Sequence, residues 1–225
     1  MLSKILILAF LAGMSVSTPT PAPVFAQISA RDGSSAAGQL LQIAPTSGTC
    51  AGAPVAAECE TNVQAAPYLI SAMSEYNITT APEIAAVLSV IAYESGEFKY
   101  NINHFPGTPG QGTRNMQIAD FNLLYAKSIP ALASQISTMT TASTTSGLSN
   151  DQLNAIRALV LPDQYSWASG AWYLATQCAS VRPALQAGGQ ASYQLYLNCI
   201  GATDSSELSA RLAYWTRANT AFGIS

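Results

Sequence analysis

Charged side chains are scarce in this sequence of 225 residues, where Asp, Glu, Lys and Arg together make up 9%. The nine basic residues are outnumbered by twelve acidic ones. This balance argues against a nucleic-acid partner, because phosphate contacts require clustered Lys and Arg. Histidine occurs once, at His104, and no Cys-x-x-Cys pair is present. The common zinc-site patterns are therefore absent, and we expect no metal and no cofactor.

Long apolar runs are also absent beyond the first part of the chain. Lys4, followed by the apolar run Ile5–Val16, predicts a signal peptide over Met1–Ala26. That run is too short to span a bilayer, so we expect no membrane partner. Residues 27–47 are rich in Ser, Ala and Gly, and we interpret them as a propeptide or flexible spacer. We therefore predict a secreted, extracellular protein in which residues 48–225 form one domain.

The four cysteines predict two disulfides, as expected for a secreted chain. Cys50 lies close to Cys59 in the sequence, and Cys178 lies close to Cys199. This spacing favours Cys50–Cys59 and Cys178–Cys199. The sequence alone leaves the other two connectivities open.

Nearly all of the predicted domain has the patterns of helices, and alternating strand patterns are weak throughout. Helices are predicted over Thr61–Glu75, from Thr80 to Gly96, and over Met116–Ala126, Pro130–Met139, Gln152–Leu161, Tyr165–Cys178, Gln190–Cys199 and Ser205–Asn219. The segment Tyr165–Cys178 is apolar on nearly all sides, so we expect it at the centre of the fold. Asp204 and Glu207 form a predicted capping box for the last helix. A small hairpin between Phe98 and Arg114 is the most β structure expected, and the fold class is mostly α around a buried central helix.

The helix that begins at Thr80 carries a carboxylate in its last turn. Val87 and Ile91 lie on its apolar stripe, and Glu94 follows Ile91 by three residues on the same face. Burial disfavours an ionised carboxylate, and the negative end of the helix dipole acts in the same direction, so the pKa of Glu94 should be raised. A Glu that keeps its proton near neutral pH can act as a general acid. The alternative is a Glu at a frayed helix end that points into water.

Two short segments around this carboxylate form a pattern, Glu94–Phe98 (ESGEF) and Asn115–Gln117 (NMQ), with Gln117 23 positions after Glu94. The pattern resembles the lysozyme-like superfamily, in particular goose-type lysozymes and soluble lytic transglycosylases. In those families a Glu-Ser pair ends a buried helix and is followed by a Gly-rich segment that ends in Gly-Leu-Met-Gln. The sequence departs from this pattern at Arg114-Asn115, which replaces Gly-Leu, and in the loop Gly107–Gly112, which lacks the acid of goose-type enzymes.

The resemblance implies a lysozyme-like helical domain with secreted muramidase activity. The expected reaction cleaves the β-1,4 bond between N-acetylmuramic acid and N-acetylglucosamine in bacterial peptidoglycan, with Glu94 as the general acid. A second catalytic carboxylate is expected at Asp120 or Glu97, whereas lytic transglycosylases work without one. The expected partner is a polysaccharide, and the expected state is a monomer. Two alternatives stay open, a chitinase or chitosanase on a related scaffold and a non-catalytic secreted protein that binds polysaccharide.

Substrate contacts are expected from polar and aromatic residues near these segments. Tyr196 belongs to a further segment (YLNCIG) that resembles the Tyr-Asn-Ala-Gly segment of transglycosylases, whose Tyr bonds the catalytic Glu. The predicted substrate-binding residues are Ser95, Tyr100, Asn103, His104, Asn115, Met116, Gln117 and Tyr196. Net charge opposes a bacterial-wall substrate, since loss of Lys4 with the signal peptide would leave −4 and no long-range attraction to an anionic wall.

Overall fold

The computed structural model describes residues 36–224, which are mostly α-helical, as the sequence predicts. The α-helices, in chain order, are α1 (Ala36–Ile43), α2 (Asn62–Glu75), α3 (Ala81–Glu94), α4 (Ala119–Ser128), α5 (Ala133–Met139), α6 (Asn150–Val160), α7 (Asp163–Ser166), α8 (Ser169–Thr176), α9 (Arg182–Ala187), α10 (Gln190–Cys199) and α11 (Leu208–Phe222). Short 3₁₀ turns occur at Pro45–Gly48, Pro130–Leu132 and Ala179–Val181. Within the described range, every helix is too short or too polar to cross a bilayer.

The N-terminal end of the described chain is helical, whereas the sequence predicts a propeptide or flexible spacer there. The expected signal peptide and the first part of the spacer lie outside the described residues, but the second part forms α1 and the 3₁₀ turn after it. Leu40 and Ile43 of α1 are buried where this helix packs on α2 and α11. Composition concealed the helix, because Ser, Ala and Gly dominate the surrounding segment and the apolar face of α1 extends over only 8 residues. Residues 36–47 therefore belong to the folded domain.

Helix α3 is the centre of the fold. Its residues from Glu83 to Ala92 are all buried, and α1, α8, α9 and α11 pack around it. At Gly170 the helix α8 approaches so closely that a Cβ there would lie 3.1 Å from Ile91 Cδ1. The Thr80 hydroxyl accepts a hydrogen bond from the Glu83 amide, so the predicted start of this helix is confirmed.

The segment predicted to form one central helix, Tyr165–Cys178, is divided into α7 and α8. Trp167 is fully buried, in keeping with the apolar composition, but the central position belongs to α3. Where α7 ends, backbone carbonyls accept hydrogen bonds from other parts of the chain. The Tyr165 carbonyl accepts from the Tyr125 hydroxyl at 2.9 Å, and the Ser166 carbonyl accepts from the Arg114 amide at 3.3 Å. These carbonyls are thus bonded from outside the helix.

The connection between α3 and α4 does not form the predicted hairpin. Its β structure is limited to isolated bridges of Gly112 with Ile102 and with Gln117. Glycine is required at this point, because a Cβ on Gly112 would lie 2.7 Å from the Asn101 carbonyl oxygen. The helix predicted to begin at Met116 begins at Ala119, since the positive φ of 49° at Met116 is incompatible with a right-handed helix.

Both predicted disulfides, Cys50–Cys59 and Cys178–Cys199, are confirmed. The first closes the loop between the 3₁₀ turn at Pro45–Gly48 and α2. The second ties the end of α10 to the segment that follows α8. Each bridge therefore fixes a loop at one end of a helix.

The start of the last helix differs from the predicted capping box. Helix α11 begins at Leu208, and Glu207 occupies its N-cap position without a side-chain cap hydrogen bond. The Glu207 carboxylate binds Arg211 instead. The Asp204 Oδ1 atom accepts hydrogen bonds from the Ser206 amide and hydroxyl, within the turn that precedes the helix.

Candidate active-site groove

A groove crosses the domain at the C-terminal end of α3. It consists of two cavities of about 470 and 330 Å³, and both are lined by Glu94, Met116 and Arg211. The larger cavity extends toward α4, α8 and α10, and the smaller one toward the loop that follows α3. Glu94 therefore lies at the junction of the two halves.

Glu94 is the last residue of α3, and its side chain is 21% exposed, so it lies at the edge of the core and not within it. Its Oε1 atom accepts a hydrogen bond from Arg211 Nη1 at 2.5 Å. Desolvation of the carboxyl by the surrounding protein raises its pKa, and this effect outweighs the opposing charge of Arg211. The shift has the direction that the position of Glu94 on the helix predicts.

Arg211 is the main groove residue that sequence reasoning missed. Its guanidinium links two carboxylates, Glu94 and Glu207, and the second contact joins Nη2 to Oε2 at 2.8 Å. The same guanidinium lies 4.2 Å from the centre of the Tyr93 ring. The spacing of Glu207 and Arg211 at i and i+4 is visible in the sequence, but a pairing with Glu94 across 117 positions depends on the packing of α11 on α3.

Asn115, Met116 and Gln117 line the larger cavity, where substrate contacts were expected. The Asn115 side-chain oxygen accepts a hydrogen bond from the Ser169 hydroxyl at 2.7 Å. The Gln117 amide nitrogen donates to the Asn122 side chain at 2.8 Å. These bonds set the orientation of both amide groups before a ligand arrives.

Tyr196 of α10 lines the same cavity but is only 1% exposed. Burial raises the pKa of its hydroxyl, so the ring remains a neutral phenol. In transglycosylases the Tyr of the similar segment bonds the catalytic Glu. Here the Glu94 carboxylate is bonded by Arg211, so the implied role of Tyr196 is filled by another residue.

Tyr100, Asn103 and His104 line the smaller cavity, together with the exposed ring of Phe105. His104 Nε2 lies 2.7 Å from Glu58 Oε1. The other oxygen of Glu58 accepts hydrogen bonds from the backbone amides of residues 101 and 102 at 2.9 and 3.1 Å. Glu58 thus anchors the loop that forms this wall, and His104 is part of that anchor.

Glu97, a predicted second catalytic carboxylate, lines neither cavity. It adopts a positive φ of 57° and accepts hydrogen bonds from the Thr46 amide at 2.5 Å and the Tyr214 hydroxyl at 3.0 Å. Arg217 lies 3.4 Å from the same carboxylate. Burial alone would raise the pKa of Glu97, but these partners outweigh it and the pKa is lowered. Glu97 joins the N-terminal turn to α11 outside the groove, and its catalytic role stays a prediction without support from this position.

Asp120 and Ser95 also have structural positions outside the groove. Asp120 is exposed at the start of α4, where hydrogen bonds from the Thr145 hydroxyl and amide lower its pKa. Ser95 is fully buried; its hydroxyl donates to the Ile91 carbonyl at 2.6 Å and accepts from the Phe98 amide at 2.9 Å. Neither residue lines the groove, so the second carboxylate at Asp120 and the substrate contact at Ser95 stay predictions without support from these positions.

The side chains of residues 36–224 include no group of three or more His, Cys, Asp or Glu that could hold a metal ion. His104 is paired with Glu58, and the four cysteines form the two disulfides. The donors of the described residues therefore do not fit a metal centre.

A curated protein of Fusarium oxysporum (strain Fo5176), named bifunctional dioxygenase (DOX)-epoxy alcohol synthase (EAS), is 46% identical to this chain over 144 residues. The similarity covers 63% of this chain, and the chain spans only 11% of the length of that relative. No protein-family profile and no solved structure matches the chain.

This comparison contradicts the predicted muramidase function, because the relative is named for dioxygenase and epoxy alcohol synthase activities. The predicted glycosidase class, the peptidoglycan substrate and the polysaccharide partner are therefore wrong, and neither the chitinase alternative nor the polysaccharide-binding alternative gains support. The prediction depended on two short segments around Glu94. A partly buried Glu at a helix end indicates proton transfer but does not specify the substrate.

Proposed function

We propose that this protein is an acid–base enzyme in which the Glu94 carboxyl transfers a proton to an oxygen-bearing small molecule in the groove. The observation that carries the proposal is the position of Glu94 at the junction of the two cavities, with a pKa raised by desolvation. A carboxyl with a raised pKa retains its proton closer to neutral pH, as a general acid requires.

Arg211 supports the state that follows proton donation. Loss of the proton turns Glu94 into a carboxylate in a partly desolvated position, and the guanidinium at 2.5 Å neutralises that charge. Glu207 holds the guanidinium from its other side at 2.8 Å. Arg211 is therefore a positioning residue that acts through Glu94.

The walls of the groove favour a neutral molecule with polar and apolar parts. Val90, Ile118 and Phe121 contribute apolar surface to the larger cavity, beside the amide groups of Asn115 and Gln117. The carboxylates and the guanidinium of the groove are paired with each other. A neutral substrate would not compete with the contacts that Arg211 makes to the Glu94 and Glu207 carboxyl groups.

The proposed substrate class comes from the name of the relative, which includes an epoxy alcohol synthase. An epoxide opens when a proton reaches its ring oxygen. In the proposed step Glu94 gives its proton to that oxygen, one ring C–O bond breaks, and water forms a new C–O bond at the same carbon. The proton released by the water restores the Glu94 carboxyl, so an epoxy alcohol and water give a triol without an oxidant or a reductant.

The dioxygenase activity named for the relative is not assigned to this chain. The chain spans 11% of that protein, and the donors of the described residues do not form a metal centre. The proposal therefore uses only proton transfer and water.

The direct test incubates the purified protein with an epoxy alcohol in ¹⁸O-labelled water and measures the products by mass spectrometry. We expect a triol that carries the solvent oxygen. Glu94→Gln keeps the shape of the side chain and should lower the rate by about 10²–10⁴-fold. Glu97→Gln is the matched control and should nearly keep the wild-type rate, because Glu97 lies outside the groove. No triol from the wild type, or equal losses in two folded variants, would refute the proposal.

A second candidate function is binding of an epoxy alcohol without turnover. The observation that favours it is the small share of the relative covered by the match, which suits an accessory unit beside catalytic parts. In that case Glu94→Gln should bind the ligand as tightly as the wild type, and neither protein should form a triol. Equilibrium binding measured alongside the product analysis separates the two candidates.

Two expectations from the sequence remain proposals. A relation of the fold to the lysozyme-like superfamily is supported by Glu94 at the end of the central helix and by Met116 and Gln117 in the same groove. Secretion is supported by the two disulfides, which form and persist in oxidising compartments. Recovery of the protein from culture medium, with an N-terminus after Ala26, is the measurement for secretion.

A further inference from the structure

A second site is indicated by a cavity of about 210 Å³ between α2, the turn after α4, and α7. It shares no lining residue with either half of the groove. Four tyrosines line it: Tyr68, Tyr76, Tyr125 and Tyr165. Four of its twelve lining residues are therefore tyrosines.

The tyrosines provide neutral, electron-rich rings. Tyr125 is buried at the floor, where its ring packs against Trp172 and its hydroxyl donates to the Tyr165 carbonyl at 2.9 Å. Tyr68, Tyr76 and Tyr165 are more exposed and form the walls. Burial, aided by the charge of Glu75, raises the pKa of Tyr76 to about 12, so this ring remains a neutral phenol under ordinary conditions.

Glu75, the last residue of α2, adds a carboxylate to the same cavity. The ion pairs found within residues 36–224 do not include Glu75, and no Lys or Arg lines the cavity. The Glu75 carboxylate is exposed to solvent and interacts with the Tyr76 side chain, and no cation within residues 36–224 forms an ion pair with it.

We propose that the cavity binds a small organic ammonium ion such as choline. The faces of aromatic rings attract cations, and quaternary ammonium groups are suited to such surroundings because they are weakly hydrated. The Glu75 carboxylate would add direct attraction to the positive charge. Apolar surface for the N-methyl groups is provided by Ala72, Ile129, Pro130 and Ala168. The inference is independent of the proposed function, since the two sites share no residue.

The first experiment compares choline with 3,3-dimethylbutan-1-ol, in which carbon replaces the charged nitrogen. The full chain is titrated with each compound, and binding is followed by calorimetry and by broadening of the ligand methyl signal in NMR spectra. We expect saturable binding of choline and none of the neutral compound over the same concentrations. Equal binding of both compounds, or no saturation with choline, would overturn the proposal.

The second experiment locates the site with substitutions. Glu75→Gln retains the size of the side chain and should weaken choline binding by about tenfold, as expected for loss of a charge contact at a partly exposed site. Tyr68→Leu should weaken binding severalfold by removing one ring. Asp151→Asn is the matched control for the loss of a negative charge, because Asp151 is exposed on α6 and does not line the cavity.

Glu94→Gln should also bind choline as tightly as the wild type, which distinguishes this cavity from the groove. Circular dichroism and thermal unfolding establish that each variant is folded. Wild-type affinity in folded Glu75→Gln, or an equal loss in Asp151→Asn, would overturn the assignment.

Discussion

Glu94 and Glu97 lie three positions apart at the end of α3, but their surroundings are opposite. Glu94 faces the groove, and desolvation raises its pKa. Glu97 faces the N-terminal turn, where donors from Thr46, Tyr214 and Arg217 overcome burial and lower its pKa. The same residue type therefore becomes a candidate proton donor at one position and an anchor at the other.

The backbone after α3 accounts for this difference. Gly96 and Glu97 have positive φ values of 56° and 57°, so the chain leaves the helix in left-handed conformations and does not continue the helical face. Helix α11 then supplies partners to both carboxylates, Arg211 to Glu94 and Arg217 to Glu97. The comparison shows that the direction of the chain and one long helix decide the chemistry of each Glu.

The largest expected effect is a difference in stability between variants of Arg211 and Arg217. Arg211→Met should lower the free energy of unfolding at neutral pH by about 3 kcal/mol, because it leaves a partly desolvated Glu94 carboxylate without its cation. Arg217→Met should cost less than about 1 kcal/mol, since Arg217 is 34% exposed and its contact is longer. Urea unfolding measures both values.

The loss in Arg211→Met should also shrink at acidic pH, where Glu94 can take up a proton. An equal loss of unfolding free energy in the two variants would contradict the distinction between the surroundings of Glu94 and Glu97. A loss in Arg211→Met that does not change with pH would contradict it as well.

The pH dependence of stability should have opposite signs for the two glutamates. The folded-state pKa of Glu94 is raised above its ordinary value of 4.5, so its contribution to stability is present below that value and is lost as pH rises through the folded pKa. The folded-state pKa of Glu97 is lowered, so its contribution is present above 4.5 and is lost as pH falls through the folded pKa. Where the folded and unfolded pKa of a group differ by one, the free energy of unfolding changes by about 1.4 kcal/mol.

Urea unfolding of the wild type, Glu94→Gln and Glu97→Gln across acidic to neutral pH measures these contributions as differences. NMR titration of the two carboxyl carbons gives the order of the pKa values directly, with Glu94 above Glu97. If the two stability differences changed with pH in the same way, the surroundings of Glu94 and Glu97 would not be distinct. A pKa of Glu97 above that of Glu94 would lead to the same conclusion.

A smaller effect is expected from Tyr214→Phe. The substitution removes the hydroxyl that donates to Glu97 at 3.0 Å and should cost about 1 kcal/mol, because Thr46 and Arg217 still bind the carboxylate. The midpoint of urea unfolding should shift without a change in ligand binding at the groove. A change in the affinity of the groove for its ligand would mean that the contacts of Glu97 and the groove are coupled through α11.

Asp120→Asn should have the smallest effect. Asp120 is exposed and, among residues 36–224, its carboxylate accepts hydrogen bonds from Thr145, so the change in unfolding free energy should stay below about 0.5 kcal/mol. Turnover in the epoxide assay should match the wild type, because Asp120 does not line the groove. A large loss of turnover would place Asp120 back in the candidate site.

Prediction succeeded where the signals are local. The start of α3 follows from Thr80, whose hydroxyl needs only the amide of Glu83 three residues later. The two disulfides follow from short separations in the sequence. The position of Glu94 on its helix follows from its spacing to Ile91. In each case the partners are neighbours along the chain.

Prediction failed where the partners are distant. Helix α1 has only 8 residues, too few for a stable isolated helix, and depends on burial against α2 and α11. The break in Tyr165–Cys178 accompanies hydrogen bonds from Tyr125 and Arg114, which belong to other segments. The substrate class predicted from the resemblance was also wrong, because a proton donor at a helix end does not determine what binds beside it.

The sequence by itself predicted that this protein is helical and that α3 carries Glu94 in its last turn, and it favoured pairing of the cysteines within short loops. Only the tertiary structure decided that Glu94 meets Arg211 in a groove while Glu97, three residues later, binds Arg217 away from it. These pairs join residues 117 and 120 positions apart. Such contacts form only when α11 packs on α3, and the burial and charge they create are not present in any local segment.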